Sequence, residues 1–409
     1  MDEREREKSM RIQDYTANDF LGQDTRGVIA GKIQTILDNM RDKGVLYMEG
    51  KDCITGYAYH EIYDWDLYFE TLFLSYFGVH KFCRNNVELF LDTQHPSGFV
   101  ARTIREVRQR HPFKPFLAQT ALLGSRQSRD FRWLEGKYFD RLKKYLYYWF
   151  WHCDADKNGL CFWDGSDASG MDNQVRRLGH MNVMEYEGVD LNCYLVRELD
   201  AMVEIANALN RPEEAAGFAA HAAALRAKIN EVFWDEEDGF YYDRSERTGK
   251  LNKIKSIAGF IPLWIGAAPA DRAERLVKEH LLNPDEFWIK YPVATWSKSE
   301  PDYYQERKGS ECSWMGATWI PTNYIIFRGL LRYGYTDAAH ELADKTFELV
   351  VSEADLREYY NGETGSGQGL GPFWGWSSLG YIMKAELEAG ICHSELDNTR
   401  FTTFEGFHF

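Results

Sequence analysis

Apolar residues recur at helical spacing through most of the chain. The series Leu191, Leu195, Leu199, Met202, Ala206 and Leu209 advances in steps of three or four residues, which predicts one buried face of a helix. The break at residues 210–212, which ends in a proline, closes this segment. A second apolar series then runs from Phe218 to Phe233, so the two helices are expected to form a hairpin.

Similar apolar series occur elsewhere and raise the expected total to about a dozen helices. They lie near residues 25–43, 65–91, 130–151, 255–282, 314–333, 336–351 and 374–389. No convincing series of alternating strand residues joins them. The predicted fold class is therefore all-α, with short β pieces only at aromatic loops such as residues 240–242.

One local pattern occurs twice. Residues 154–164 and residues 233–243 each follow a long helical segment and each combine an acidic turn, a glycine and several aromatic residues. Equivalent helix-to-loop units at intervals are what a toroid of helical hairpins would produce.

Composition changes the picture in a few respects. The chain of 409 residues is 44% hydrophobic and 15% aromatic, and no apolar run approaches the roughly 18 residues of a membrane span. No linker rich in proline or serine interrupts the sequence, so we expect a charged N-terminal tail over residues 1–20 and a single domain over residues 21–409. The first residues lack the apolar stretch of a secretory signal, and a cytoplasmic location is the expectation.

The net charge limits the classes of binding partner, and the cysteines indicate the state of the thiols. A net charge of -15 disfavours nucleic acid and anionic membranes, which leaves a small-molecule ligand and an open oligomeric state. The seven cysteines are scattered and show no C-x-x-C pair, so we expect reduced thiols and neither a disulfide framework nor a zinc site.

Aromatic residues stand beside carboxylates at several separated places. Sugars require this mixture, because aromatic faces stack on the C–H surfaces of the ring while carboxylates accept hydrogen bonds from its hydroxyls. Any one tryptophan is more simply explained as core filler. The clustering in loops that also carry glycine and acid favours a sugar site. The places are residues 63–66, 163–164, Asp172, Trp314, Trp319, 358–360 and 374–376.

Two acidic residues are candidates for glycosidic cleavage. Asp172 lies in a Ser-Gly-Met-Asp-Asn segment, and Glu358 precedes two tyrosines and the glycine-rich run 365–371. Cleavage of a glycoside needs one carboxyl that protonates the leaving oxygen and another that activates water. With 63 acidic residues in the chain, composition alone would not select these two.

Six ordered sequence blocks resemble glycoside hydrolase family 63 and, more loosely, the family 37 trehalases. Each block is weak or moderate alone, whereas the ordered set, which spans roughly residues 65–380, is specific. The blocks are residues 65–66, 94–99, 169–173, 314–324, 358–365 and 373–379.

This resemblance implies an (α/α)6 barrel with a pocket at one end, an inverting exo-acting α-glycosidase activity on a small α-glucoside or α-mannoside, and no cofactor. The eleven histidines show no H-x-x-x-H spacing, so no metal site is expected. By the same resemblance Asp172 would be the general acid and Glu358 the general base. We expect the acid to be buried among aromatic residues and the base to lie in a more polar corner that contains an arginine. The side chains expected to bind the sugar are Trp65, Asp66, Gln94, Arg176, Trp314, Trp319 and Trp376.

The chain departs from the family pattern at two positions. Four extra residues, 165–168, separate Trp163 from the Ser-Gly-Met-Asp block, and Met315 stands where the family often has an arginine. The short chain resembles the compact members that hydrolyse mannosylglycerate or glucosylglycerate. Arg102, Arg105, Arg176 and Arg177 could pair with such an acidic aglycone, although surface salt bridges are the simpler role for most of them.

Other motifs point to structure more than to chemistry. Residues 154–159 imitate half of a calcium loop, but its required glutamate would fall on Gly165, so we interpret them as a turn. The glycine-rich run 365–371 lacks the surroundings of a phosphate loop and is interpreted as a mobile loop beside the pocket.

Two rival functions stay open at this stage. A sugar epimerase can use the same toroid through paired histidines, for which His60, His95 and His180 are the candidates. A non-catalytic sugar-binding protein would keep the aromatic pocket, but it would not need both Asp172 and Glu358.

Overall fold

The computed structural model describes residues 25–58, 60–104, 111–165, 168–174, 185–306, 308–309 and 312–409. The predicted tail over residues 1–20 lies outside this part of the chain. Twelve α-helices occur in the described residues: α1 Thr25–Asn39, α2 Asp64–Ser75, α3 Lys81–Asp92, α4 Leu117–Ser128, α5 Lys137–His152, α6 Val189–Ala208, α7 Pro212–Val232, α8 Ile261–Trp264, α9 Ala270–Arg275, α10 Ile320–Arg332, α11 Thr336–Ser352 and α12 Leu379–Ala389.

The helices form two concentric rings. Each even-numbered helix packs against the next even-numbered one, and α12 returns to α2, so these six close an inner ring. The odd-numbered helices lie outside, for example α7 against α6 and α11 against both α10 and α12. This arrangement is the predicted (α/α)6 barrel.

Burial patterns explain which helices are inside. All twelve residues of α2 are buried, as an inner helix covered on every side requires. The outer helix α5 buries only an apolar stripe that includes Phe139, Leu142, Leu146 and Trp149. Helix α4 is also buried along most of its length, and polar residues such as Gln119, Thr120 and Ser125 are buried among its apolar ones. For that reason the apolar pattern did not predict it.

Two predicted segments are subdivided in the structure. The segment near residues 65–91 is two helices, α2 and α3, separated by a turn. The segment near residues 255–282 contains a 3-10 turn at Ile257–Phe260, α8, α9 and a π-helical stretch at Leu276–Leu281.

The strands are short and pair within the loops. They are β1 Val45–Met48, β2 Lys51–Ile54, β3 Ile62–Tyr63, β4 Thr103–Ile104, β5 Tyr186–Glu187, β6 Trp234–Asp235, β7 Phe240–Tyr241, β8 Asp243–Ser245, β9 Leu251–Asn252, β10 Tyr359–Tyr360 and β11 Gly367–Gln368. Each pairing is antiparallel, and the largest sheet has three strands in the order β5-β8-β9. These small sheets shape the connections between helices.

The two acidic turns follow the outer helices α5 and α7. In the first, the Asp154 carboxylate accepts a hydrogen bond from the Gly159 N–H at 3.1 Å. In the second, the Asp235 carboxylate accepts one from the Asp238 N–H at 2.8 Å. Both carboxylates stabilise their own turns, in agreement with a structural role for residues 154–159.

Candidate active site

The candidate residues gather at one end of the barrel because the inner helices all begin there. Trp65 and Asp66 lie in the first turn of α2, Asp172 precedes α6, and Trp319 immediately precedes α10. Glu358 lies between α11 and α12. A cavity of about 290 Å³ opens among these connections. Its described lining residues are Tyr57, Tyr63, Trp65, Asp66, Arg102, Gly170, Asp172, Trp314, Trp319, Glu358, Leu370, Phe373 and Trp376.

Four tryptophans form one wall of the cavity. The rings of Trp314 and Trp319 are stacked with centroids 3.7 Å apart, and Trp65 lies 5.9 Å from both Trp314 and Trp376. The Trp319 indole N–H donates to the Ser313 carbonyl at 2.9 Å, which fixes the ring orientation. The wall presents apolar ring surface beside carboxylates, as sugar binding requires.

A buried ion pair, Lys114–Asp64, lies against the Trp65 ring. The Lys114 ammonium lies 2.8 and 2.9 Å from the two oxygens of Asp64, and neither side chain is exposed. The same ammonium is 5.2 Å from the Trp65 ring centroid. Asp64 also accepts the Trp65 N–H at 2.8 Å. The same carboxylate therefore satisfies a backbone N–H in the first turn of α2 and pairs with the lysine.

Gly170 allows the acid-bearing segment to approach this support. Its φ is +80°, and a β-carbon there would lie 2.7 Å from the Lys114 Cε and 2.9 Å from the Trp65 ring. Any larger residue would push the segment 169–173 away from the tryptophan wall.

The Asp172 segment is attached to the Trp314 segment by its neighbours. The Asn173 carboxamide oxygen accepts the Trp314 N–H at 2.9 Å, and the Gln174 amide donates to the Trp314 carbonyl at 2.7 Å. Asp172 itself is exposed to the cavity. The expectation that Asp172 is buried among aromatic residues is therefore wrong for this structure, because Asp172 faces the open cavity.

Glu358 is held by hydrogen bonds to the segment that follows the β10–β11 pair. The glycine-rich run places β11 beside β10, after which the Glu358 N–H donates to the Leu370 carbonyl at 3.0 Å. The Leu370 N–H donates to the Glu358 carboxylate at 2.9 Å, and the Trp376 indole N–H donates to the Glu358 carbonyl at 2.8 Å. The residues 365–371 thus lie beside the pocket, as predicted.

Asp66 is a third carboxyl in the cavity. It is almost fully buried, and the Tyr57 hydroxyl donates to it. Burial, with a further contribution from the charge of Asp64, raises the pKa of Asp66 to about 7.

The structure brings together most of the predicted site residues. Asp172, Glu358, Trp65, Asp66, Trp314, Trp319 and Trp376 line the one cavity. Gln94 does not, because its amide donates to the carbonyls of Gly98 and Arg141 at 3.2 and 2.9 Å and so stabilises a loop. Arg176 lies outside the described residues.

Sequence reasoning left several lining residues out of the predicted sugar site. Arg102, which the sequence offered only as a possible partner for an acidic aglycone, lines the cavity and lies 5.9 Å from the Tyr63 ring. Tyr57 reaches the cavity through a β-bridge to Phe373, and no local motif could have signalled that pairing.

The described residues give no support to metal binding or to a histidine-based epimerase. No group of three or more His, Cys, Asp or Glu residues that could hold a metal ion occurs among them. His60 and His95 are exposed, and no histidine is among the described residues that line the cavity. His180 lies outside the described chain. Within that described chain, no helix is both long enough and apolar enough to cross a bilayer.

Comparison with curated proteins finds partial relatives. Mannosylglycerate hydrolase from Thermus thermophilus is 31% identical over 151 residues, which cover 36% of this chain and 34% of that protein. For seven curated relatives, the aligned segment spans 17% to 40% of the relative's length.

Solved structures show the same fold over most of the chain. The glucose complex of family 63 mannosylglycerate hydrolase from Thermus thermophilus superposes with a TM-score of 0.69 at 20% identity, and the match covers 87% of this chain and 99% of that one. Neutral trehalase Nth1 from Saccharomyces cerevisiae gives a TM-score of 0.65 at 18% identity, with 84% and 76% covered. At these identities the likeness establishes the (α/α)6 fold.

The family assignment comes from the sequence model of one family, described as the mannosylglycerate hydrolase MGH1-like glycoside hydrolase domain, which matches residues 59–377. This match covers well over half of the chain and includes both Asp172 and Glu358. The protein therefore belongs to the MGH1-like glycoside hydrolases.

Proposed function

We propose that the protein is an inverting, exo-acting α-glycosidase that hydrolyses a small α-glucoside or α-mannoside. The observation that carries the proposal is that Asp172 and Glu358 line the same cavity as four tryptophans. A volume of about 290 Å³ suits one sugar ring and a small aglycone, which favours a small substrate over a polysaccharide.

In the proposed reaction, Asp172 gives its proton to the glycosidic oxygen as the bond from that oxygen to the anomeric carbon breaks. Glu358 takes a proton from the water that attacks the opposite face of the anomeric carbon. Because Asp172 is open to the cavity, a sugar bound against the tryptophans would remove water from it. Desolvation raises the pKa of a carboxyl and would favour the protonated acid when substrate is bound.

We further propose an acidic aglycone as the preferred leaving group. Arg102 is a cation that lines the same cavity as Asp172, and it could pair with a carboxylate there. The solved mannosylglycerate hydrolase of Thermus thermophilus was also obtained with Tris and D-glycerate. A neutral disaccharide such as trehalose is the second candidate, because trehalases share the fold.

Proton NMR of the products is the test of activity and stereochemistry. The panel contains mannosylglycerate, glucosylglycerate, trehalose and simple α-glucosides and α-mannosides, recorded within the first minutes. We expect the β-anomer of the released sugar to appear first. An early α-anomer would overturn the inverting assignment, and an epimerised free sugar without cleavage would point to an isomerase.

Glycosyl fluorides separate the two carboxyl roles. Fluoride leaves without a proton, so the general acid is dispensable for α-glucosyl or α-mannosyl fluoride while the general base is not. We expect Asp172→Asn to retain most activity on the fluoride and to lose it on an O-glycoside. Glu358→Gln should lose both activities, and the reverse pattern would exchange the two assignments.

Arg102→Gln tests the aglycone. The variant should lower kcat/KM for mannosylglycerate by about 10- to 100-fold, as the loss of a charge-assisted hydrogen bond predicts. Activity on the uncharged α-fluoride serves as the control and should change little. An equal loss on both substrates would contradict a role in recognising the carboxylate.

We also propose that residues 21–409 act as one catalytic domain in the cytoplasm, without a cofactor. The closed ring of inner helices supports a single unit. All seven cysteines are free thiols and five of them are buried, which suits a reducing compartment. Cell fractionation with activity as the readout tests the location.

A further inference from the structure

The carboxylate of Glu358 is contacted on both of its oxygens. The Leu370 N–H donates to Oε2 at 2.9 Å, and the Cys312 thiol donates to Oε1 at 3.6 Å. The two donors come from different connections, one preceding α10 and one preceding α12. Both contacts restrict the rotation of the same side chain.

The first contact depends on Gly369. Its φ is +72°, and a β-carbon there would lie 2.5 Å from the Glu358 Oε2 and 2.8 Å from the Glu358 Cβ. Glycine is therefore required both for the backbone conformation and for the space that the carboxylate occupies. The reciprocal bond from the Glu358 N–H to the Leu370 carbonyl keeps the two segments in register.

The second contact belongs to a segment that also reaches the acid side of the cavity. Cys312 is partly exposed, and two residues later the Trp314 N–H donates to Asn173, the neighbour of Asp172. The Ser313 hydroxyl donates to the Tyr304 carbonyl at 3.3 Å, so the segment is itself anchored. One connection thus contacts the proposed base directly and the segment of the proposed acid through its backbone.

We propose that the Gly369–Leu370 peptide and the Cys312 thiol are positioning elements that hold Glu358 in the orientation of a general base. This inference rests on the proposed function of Glu358. Donors aimed at a carboxylate favour its ionised form, which is the form a base needs. Fixing the carboxylate also keeps it aligned with the attacking water, and a misplacement of about 1 Å can cost about 100-fold in rate.

Other ionisable groups face the same cavity and contribute to any pH profile. They are Tyr57, Tyr63, Asp66, Arg102 and Asp172. Each variant below leaves these groups in place, so a difference between variants reports on the contacts to Glu358.

The experiment measures kcat, KM and the pH dependence of kcat on α-glucosyl and α-mannosyl fluoride, where the step assisted by the base is isolated. Gly369→Ala should lower kcat by about 100-fold with little change in KM, because positioning of the base affects the transition state more than ground-state binding. The acidic limb of its pH profile should move to higher pH, because the carboxylate loses a donor.

Gly406→Ala is the matched control. Gly406 has a φ of +82° and nothing within 4 Å of a β-carbon, so the substitution carries the same backbone strain without touching the site. It should keep the kcat and the pH profile of the wild type. Equal behaviour of Gly369→Ala and Gly406→Ala would overturn the inference.

The thiol is tested by a conservative pair. Cys312→Ala should lower kcat by about 3- to 10-fold, as the loss of one neutral donor predicts, and Cys312→Ser should restore it. If Gly369→Ala does not fold, the comparison of kcat between Cys312→Ala and Cys312→Ser tests the inference instead. Wild-type activity of Cys312→Ala would overturn the role of the thiol. If Glu358→Gln is inactive while every positioning variant is normal, only this inference fails. If Glu358→Gln is fully active, the proposed function of Glu358 fails with it.

Discussion

The Lys114–Asp64 ion pair offers the sharpest test of how the fold supports the site. Neither side chain is exposed, and the ammonium contacts both carboxylate oxygens within 2.9 Å. Burial lowers the pKa of Lys114, and the nearby Arg102 lowers it further. If one partner is removed, water therefore cannot reach the other to solvate its charge.

Replacing Lys114 with methionine keeps the volume and removes the charge. Asp64 would still accept the N–H groups of Trp65 and of residue 114 at 2.8 and 3.1 Å, but its charge would be buried without a counter-ion. Breaking such a pair costs about 3–5 kcal/mol of the free energy of unfolding. The two remaining backbone donors place our expectation at the lower end, about 3 kcal/mol.

Urea unfolding followed by tryptophan fluorescence measures the loss as a fall in midpoint at constant slope. The double variant Asp64→Asn/Lys114→Met removes the orphaned charge and keeps an acceptor for one of the two backbone N–H groups, because those of Trp65 and residue 114 donate to different oxygens of Asp64. The lost acceptor limits the expected recovery to about 1 kcal/mol relative to Lys114→Met alone.

A surface pair gives the matched control. Lys278 and Glu274 are 60% and 57% exposed, so Lys278→Met should leave the midpoint unchanged. If Lys114→Met is within about 1 kcal/mol of the wild type, the ion pair does not carry the stability assigned to it. A double variant less stable than the single one would equally contradict the reasoning.

Three further predictions follow from individual contacts. Gly170→Ala should lower kcat/KM by about 10-fold or more, since its β-carbon would lie 2.9 Å from the Trp65 ring, whereas Gly136→Ala at φ +71° with open space should not. The pKa of His393 is lowered to about 3 by burial, so the stability it contributes is present above pH 6.5 and is lost as the pH falls toward 3. Between pH 7 and pH 5 the free energy of unfolding of the wild type should fall by about 2 kcal/mol on account of this group, and His393→Gln should reduce that fall. An equal fall in the urea midpoint of both proteins over this pH range would refute the prediction. Because burial raises the pKa of Asp66 to about 7, KM should vary with pH near neutrality, and Asp66→Asn should remove that variation in a steady-state assay.

The His393 prediction has a geometric basis. Its Nδ1 lies 2.7 Å from the Ser75 hydroxyl, which itself donates to the Leu72 carbonyl, and its Nε2 accepts the Thr402 N–H at 3.2 Å. The neutral ring satisfies both neighbours. Protonation would set an N–H against the Thr402 N–H, so the folded state resists it.

Helical periodicity predicted helices of both rings, including the inner helix α6, whose apolar series begins at Leu191. Helix α5 shows the stripe in its sequence and buries it in the structure. Periodicity failed for α4, because buried polar residues such as Gln119 and Ser125 interrupt its apolar series. It also merged α2 with α3, since a turn of ordinary composition separates two apolar segments.

Sequence blocks identified most of the cavity because each block supplies a complete local piece. Trp65-Asp66 begins a helix and Trp319 precedes one, so their placement follows from the ends of the helices. Gln94 came from the same kind of block, yet its amide bonds to the carbonyls of Gly98 and Arg141. A block therefore predicts position along the chain more reliably than it predicts the direction of a side chain.

The sequence by itself determined the helical class, the ordered blocks and the two carboxyls that the family resemblance singles out. These depend on local periodicity and on short stretches of chain. Only the tertiary structure decided that Asp172 faces open cavity, that Lys114 lies beneath Trp65, and that Cys312 and Leu370 hold Glu358. These contacts join residues that are far apart in the chain, and their energies depend on distance and burial, which no local pattern records.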